Sequence, residues 1–263
     1  MNKTKIYHQL GYRYKWNMAS YKDDHVGDGF ILSPRDMEKD TVLALDKKTK
    51  KISFFDLQFY EPSSSKKKLN TYEFFPNKSL EDGYSTTSYC ENCYKIAEEC
   101  IVFQFSNNFK YIVIPTLYFT DDYETNINKI DTMFVRPFLE KIKTFNKKNV
   151  PVLISIIASD KILKNQIFRE NLITYITSLN DISGVYLIPS CKREGKRIAD
   201  LDYIFYLMQF IYYLKYNDLE VHIGYSDIEG FLFTLANVDS ISIGSYENLR
   251  NFDINKFTTC KII

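Results

Sequence analysis

The sequence predicts an α/β fold, a single (β/α)8 TIM-type barrel over residues 1–263 with a long insertion after strand three. Three observations lead there. Eight short apolar runs alternate with segments of helical periodicity, the pattern of a parallel sheet with right-handed crossovers. Several runs, such as Gly184-Val-Tyr-Leu-Ile188, lack polar alternate positions, as strands buried on both faces do. A chain of 263 residues also suits one such barrel better than two domains. No Gly-x-Gly-x-x-Gly follows a strand and no Gly-Lys-Ser/Thr is present, so the phosphate cradles of open α/β sheets have no support.

In chain order, Ile6 to Leu10 is the first strand, followed by a short helix from about Trp16 to Asp24. Gly27-Asp-Gly29 turns into the second strand, Phe30-Ile-Leu32, closed by Ser33-Pro34. A polar helix is expected from Arg35 to Lys48, with Met37, Val42 and Leu45 facing inward. The third strand starts at Ile52 and runs into Phe54-Phe-Asp-Leu-Gln-Phe-Tyr60. Residues 61–91 carry turn chemistry throughout: Pro62, three serines, Lys66-Lys-Lys68, Pro76 and Gly83. They are expected to form a long loop over the C-terminal rim. A helix from about Ser88 to Asn108 and strand four, Tyr111 to Thr116, come next. The helix from Asn126 to Lys148 must accommodate Pro137, which should kink or split it. Val150 to Ile157, Gly184 to Ile188, Leu219 to Gly224 and Ser240 to Gly244 are strands five to eight. Between them lie helices at 165–179, 199–216 and 228–236, and a helical turn begins at Glu247.

Composition narrows the function classes. The net charge of +1 argues against a whole-molecule field for nucleic acid or anionic membrane. The charge-free run from Tyr203 to Leu214 is too short to span a bilayer and reads as a buried helix. The N-terminus has no apolar leader-like stretch, and five cysteines without one suggest a cytoplasmic protein. Cys90-Glu-Asn-Cys93 lacks the second ligand pair of a zinc site. Cys93 and Cys100 share a helix face with Ala97, so packing explains them, and no metal or other cofactor is expected.

Active sites of this fold lie where the strands end. Those positions are rich in hydroxyls and amides and poor in acids, which suits a polar organic ligand rather than a hard metal ion. Strand alternation would point Asp56, Gln58 and Tyr60 to one face. Asp56 is the acid/base candidate, since a carboxyl among Phe55, Phe59 and Tyr60 would be partly desolvated. Equally, it could cap the following turn or pair with Arg35. Gln58 joins it as a catalytic candidate. Ser33, Arg35, Tyr60, His222, Tyr225, Ser226, Ser245 and Tyr246 are the substrate-binding candidates. His222 lies inside a strand, where a lone histidine is more often a hydrogen-bonded core residue. The lysines 66–68, Arg13 and Lys15 beside Trp16, and Arg193 and Arg197 are basic segments that could meet a nucleic acid or simply face solvent.

Two segments resemble the tRNA-guanine transglycosylase superfamily. One is His222-Ile-Gly-Tyr-Ser-Asp, with its continuation through Asp239-Ser-Ile-Ser-Ile-Gly-Ser-Tyr246. The other is Phe54-Phe-Asp-Leu-Gln-Phe59. The resemblance implies a (β/α)8 barrel with Asp56 at the family's acid position. It also implies departures. The family's nucleophilic aspartate falls on Ser242, the glycines after the family acid are Leu57-Gln-Phe59 here, and the cysteine zinc element after the last strand is absent. The expected function is therefore an enzyme acting on a nucleobase or glycosidic substrate with altered, transglycosylase-like or N-glycosidic chemistry. The alternatives are a non-catalytic barrel that binds a partner protein or nucleic acid through residues 61–91, and a barrel enzyme acting on a phosphorylated metabolite held by the Gly244-Ser-Tyr-Glu turn.

Overall fold

The computed structural model describes residues 3–119, 123–145, 149–194 and 196–258. Among them the strands are β1 (Lys5–Gln9), β2 (Gly29–Leu32), β3 (Ser53–Phe55), β4 (Ile112–Ile114), β5 (Val152–Ser159), β6 (Gly184–Ser190), β7 (Glu220–Ser226) and β8 (Ser240–Gly244). They form one eight-stranded sheet in the order β3-β2-β1-β8-β7-β6-β5-β4. β1 lies parallel between β2 and β8, with Tyr7 opposite Gly29 on one side and Ser242 on the other. The two nominal ends, β3 and β4, lie against each other. Lys110 N–H donates to Ser53 O at 2.8 Å just ahead of β4. This cyclic order of parallel strands with interleaved helices is that of a (β/α)8 TIM-type barrel.

The chain divides into two compact units, Met1–Ile31 with Leu153–Phe252, and Leu32–Val152 with Asp253–Ile263. The first unit holds β1, most of β2 and β5 through β8. Its helices include α1 (Tyr14–Asp24) and, further along, the pair α8 (Asp160–Lys164) and α9 (Gln166–Thr177). The helix expected at 165–179 is thus preceded by another. Ser159 caps the first through Ile162 N–H, and Asn165 caps the second through Phe168 N–H, each supplying an acceptor for an otherwise orphaned amide.

The second unit departs further from the expected element list. The single helix predicted from Arg35 to Lys48 is instead α2 (Lys39–Leu43) and α3 (Lys47–Lys51). Asp46 is the reason: its carboxylate accepts from Lys48 N–H and Thr49 N–H at 2.9 Å each and starts a new helix. The segment 61–91 is not structureless. It contains a 3-10 turn at Leu69–Thr71, α4 (Pro76–Ser79) and the start of α5 (Thr86–Ser106). Tyr72, Phe74 and Phe75 are buried. The Tyr72 ring lies 5.4 Å from Phe55, Phe74 lies 5.2 Å from Phe103, and Phe75 meets Phe59 edge-on at 5.7 Å.

Pro137 acts as its chemistry requires. The helix breaks into α6 (Tyr123–Ile130), a π-helical turn (Asp131–Val135) and α7 (Arg136–Phe145). A proline cannot donate to the carbonyl four residues back and crowds it, and the widened turn before it absorbs the mismatch. The predicted end of this helix, up to Lys148, and the tail with Cys260 lie outside the described residues.

Candidate functional site

In the second unit, Ser33, Arg35, Asp56, Gln58 and Tyr60 are joined in one hydrogen-bonded cluster. It is not built as strand alternation suggests. β3 stops at Phe55, and Gln58 adopts a left-handed backbone with φ of 54°. The chain turns there, and Asp56 Oδ1 accepts from Gln58 N–H at 3.1 Å, closing an Asx-type turn. The turn brings Tyr60 back onto Asp56. Its hydroxyl lies 2.7 Å from Oδ1 and 2.8 Å from Oδ2. Asp56, Gln58 and Tyr60 are all buried.

The Gln58 side chain ties this turn to the end of β2. Its Oε1 accepts from Arg35 N–H at 3.0 Å, and its Nε2 donates to Ser33 Oγ at 3.0 Å. Ser33 Oγ in turn donates to Asp36 Oδ2 at 3.0 Å. Arg35 pairs with Asp36, at 2.7 Å from Nη2 to Oδ2, and its guanidinium stands over the Phe257 ring at 5.4 Å. Tyr60 meets the same ring edge-on at 5.1 Å. Asp56 thus has a phenol and a backbone amide as donors, and Arg35 is engaged with Asp36.

In the first unit the remaining candidates separate into groups. Tyr225, at φ 50°, and Ser226 end β7, where its pairing with β8 slips between Ile223 and Ser226. Tyr225 N–H donates to Ser242 Oγ at 3.1 Å, and Ser242 Oγ donates to Gln9 Oε1 at 2.9 Å. Ser242 is thus a buried hydroxyl that holds a strand end. Gln9 Nε2, Ser226 Oγ and Glu229 Oε2 are buried without a hydrogen-bond partner, an uncommon condition for polar groups. Ser245 and Tyr246 form a second group with α1. Asn17 Nδ2 donates to Ser245 Oγ at 2.7 Å, and the exposed rings of Trp16 and Tyr246 lie 6.5 Å apart with Arg13 over both.

His222 belongs elsewhere. Its Nδ1 lies 2.8 Å from Ser240 Oγ and its Nε2 lies 3.0 Å from Glu220 Oε2. Both partners are at the N-terminal starts of their strands, whereas the candidates at 225 and 226 are at the C-terminal end of β7. The buried imidazole here joins two strands.

Spacing gave no sign of the Arg193–Glu229 pair, 2.6 Å apart and almost fully buried. Arg193 also donates to Asn251 Oδ1 at 3.0 Å. The partners are 36 residues apart in the chain, and only the fold joins them. Nearby in sequence, burial pushes the Cys191 thiol up to about 12, which leaves it a neutral thiol rather than a nucleophile. Cys93 and Cys100 are buried in α5. Among the described residues no helix is long and apolar enough to cross a membrane. Compared with models of known protein families the chain matches none, and the comparison with curated proteins likewise gave no match.

Proposed function

We propose that this (β/α)8 chain is an enzyme that transfers protons on a polar organic substrate of nucleobase or glycosidic type, with Asp56 as the acid/base group. One observation carries the reading: a buried carboxylate follows β3, and a residue in a left-handed conformation holds it against a phenol. Non-glycine residues in that conformation are concentrated at functional sites. Strand ends are where this fold carries out its chemistry. In this reading Asp56 moves the proton and the Tyr60 hydroxyl orients the carboxylate. Gln58 is a positioning residue, because its side chain is committed to Ser33 and Arg35.

A second reading, binding without catalysis, is favoured by the turn that Asp56 caps through Gln58 N–H. One variant separates the two. Asp56→Asn keeps the shape and an oxygen acceptor for the turn but cannot cycle a proton. Against a panel of nucleosides and aryl glycosides, proton-transfer catalysis predicts turnover falling by about a hundredfold to ten-thousandfold. Ligand affinity, read by calorimetry, should stay within a few-fold. Turnover unchanged in Asp56→Asn would overturn the catalytic reading. Ligand binding without turnover in the unmodified protein would support the second.

A further inference from the structure

We propose that this protein forms a symmetric homodimer through an apolar face on α10 (Leu201–Tyr216) and α11 (Gly230–Phe233) of the first unit. The inner side of α10 is accounted for, because Tyr203, Leu207, Phe210, Ile211 and Leu214 are buried. Its outer side should then be polar, and it is not. Leu201, Phe205, Tyr212 and Tyr216 recur at helical spacing along it, with Leu201 77%, Phe205 61% and Tyr216 76% exposed. The 3-10 turn Thr234–Ala236 that follows α11 packs against α10. It adds Leu235, 73% exposed, and α11 adds Phe231. The two elements therefore present one surface.

Area identifies the occupant as another folded chain. These six side chains together leave on the order of 800 Å² open, above the roughly 300–600 Å² of the largest patch on a typical monomer and equal to one side of a standard interface. Charge selects a second copy. The run Tyr203–Leu214 contains no charged residue, so two copies can meet about a two-fold axis without burying like charges or an unpaired one. The tyrosines fit such an interface, with ring area for the contact and a hydroxyl that can reach its rim. Tyr212 and Tyr216 are already stacked, 6.3 Å between centroids. A lipid surface fits less well. Membrane-lying helices are rich in Lys and Arg on their polar face, whereas the one basic residue of α10 is Lys215, and it is paired with Asp239 at 2.7 Å.

The test is the mass in solution of the full chain. Sedimentation equilibrium between about 1 and 100 µM, a span chosen to bracket micromolar dimers, should give twice the 31.1 kDa of one chain. Phe205→Glu combined with Leu235→Glu should return the mass to that of one chain. Its circular dichroism and thermal midpoint should match the unmodified protein, since both side chains already face solvent. Should that pair lower the midpoint, Tyr216→Lys near the end of α10 serves instead and should weaken association by tenfold or more. An unmodified chain that stays monomeric at the top of the range would overturn the proposal. So would a dimer that survives these substitutions, which would lie on another face. A monomer that co-sediments with phosphatidylcholine–phosphatidylglycerol vesicles would overturn it in favour of a lipid surface.

Discussion

Gln58 shows how one residue builds the candidate site. A left-handed backbone disfavours a residue with a Cβ by about 1–2 kcal/mol, and nothing in the sequence forces glycine's usual position here to be glutamine. The side chain supplies the reason. It gives Arg35 N–H an acceptor and Ser33 Oγ a donor inside the protein. Strand alternation was enough to group Asp56, Gln58 and Tyr60, but for the wrong geometric reason, because they meet through a turn. Gln58→Ala keeps the backbone strain and removes both bonds, leaving the part-buried Arg35 N–H without this acceptor. We expect a loss of about 1–3 kcal/mol in urea unfolding. Gln58→Gly loses the same bonds but relieves the strain, so it should be the more stable of the two by about 1 kcal/mol. Equal stabilities would mean that the φ of 54° carries no strain.

At the scale of elements, strands and helices were legible where burial is regular and misjudged where a polar side chain restarts the chain. The apolar periodicity through Val42 and Leu45 reads as one helix, yet Asp46 begins α3 within it. The carboxylate accepts two backbone amides and the Thr49 hydroxyl at 2.7 Å. These bonds, those from Thr49 foremost, hold its pKa below the ordinary value of 3.8. A group whose folded pKa is depressed stabilises the fold above its unfolded pKa and loses that contribution as pH falls through the folded one. Asp46→Ala should therefore lower stability by about 1 kcal/mol at neutral pH, the usual value of an N-cap. The gap between variant and unmodified protein should narrow only below pH 3.8, as the carboxylate is protonated. Urea titrations at neutral pH and at successively lower values below that point measure it. A gap that stays constant down the series would assign the effect to helix propensity instead of the cap.

Over the whole molecule, the barrel fold followed from the alternation of apolar runs with helical segments together with the chain length, since that alternation holds whatever the partners of each segment are. The long-range polar pairs of the first unit did not follow, because Ser242 meets Gln9 at a separation of 233 residues and Arg193 meets Glu229 only through the fold. The burial within segment 61–91 was hidden for a related reason. Its prolines, serines and lysines announce turns, and they hide the rings between them. In the second unit Leu69, Tyr72, Phe74 and Phe75 are all buried, the Tyr72 hydroxyl donates to Met37 O at 2.8 Å, and Ser64 Oγ donates to Phe257 O at 2.6 Å. Removing one buried Phe typically costs about 3–5 kcal/mol, and a whole domain is stable by only about 5–15 kcal/mol. Deleting Ser63 to Gly83 removes all four apolar side chains at once and exposes the faces of Phe55, Phe59 and Phe103 that they cover. The deletion should therefore abolish cooperative unfolding in calorimetry, and Phe75→Ala alone should lower stability by several kcal/mol. A deletion variant that still melts cooperatively near the unmodified midpoint would show that these rings add nothing to the core, and the segment would then be a surface loop available to a ligand or partner.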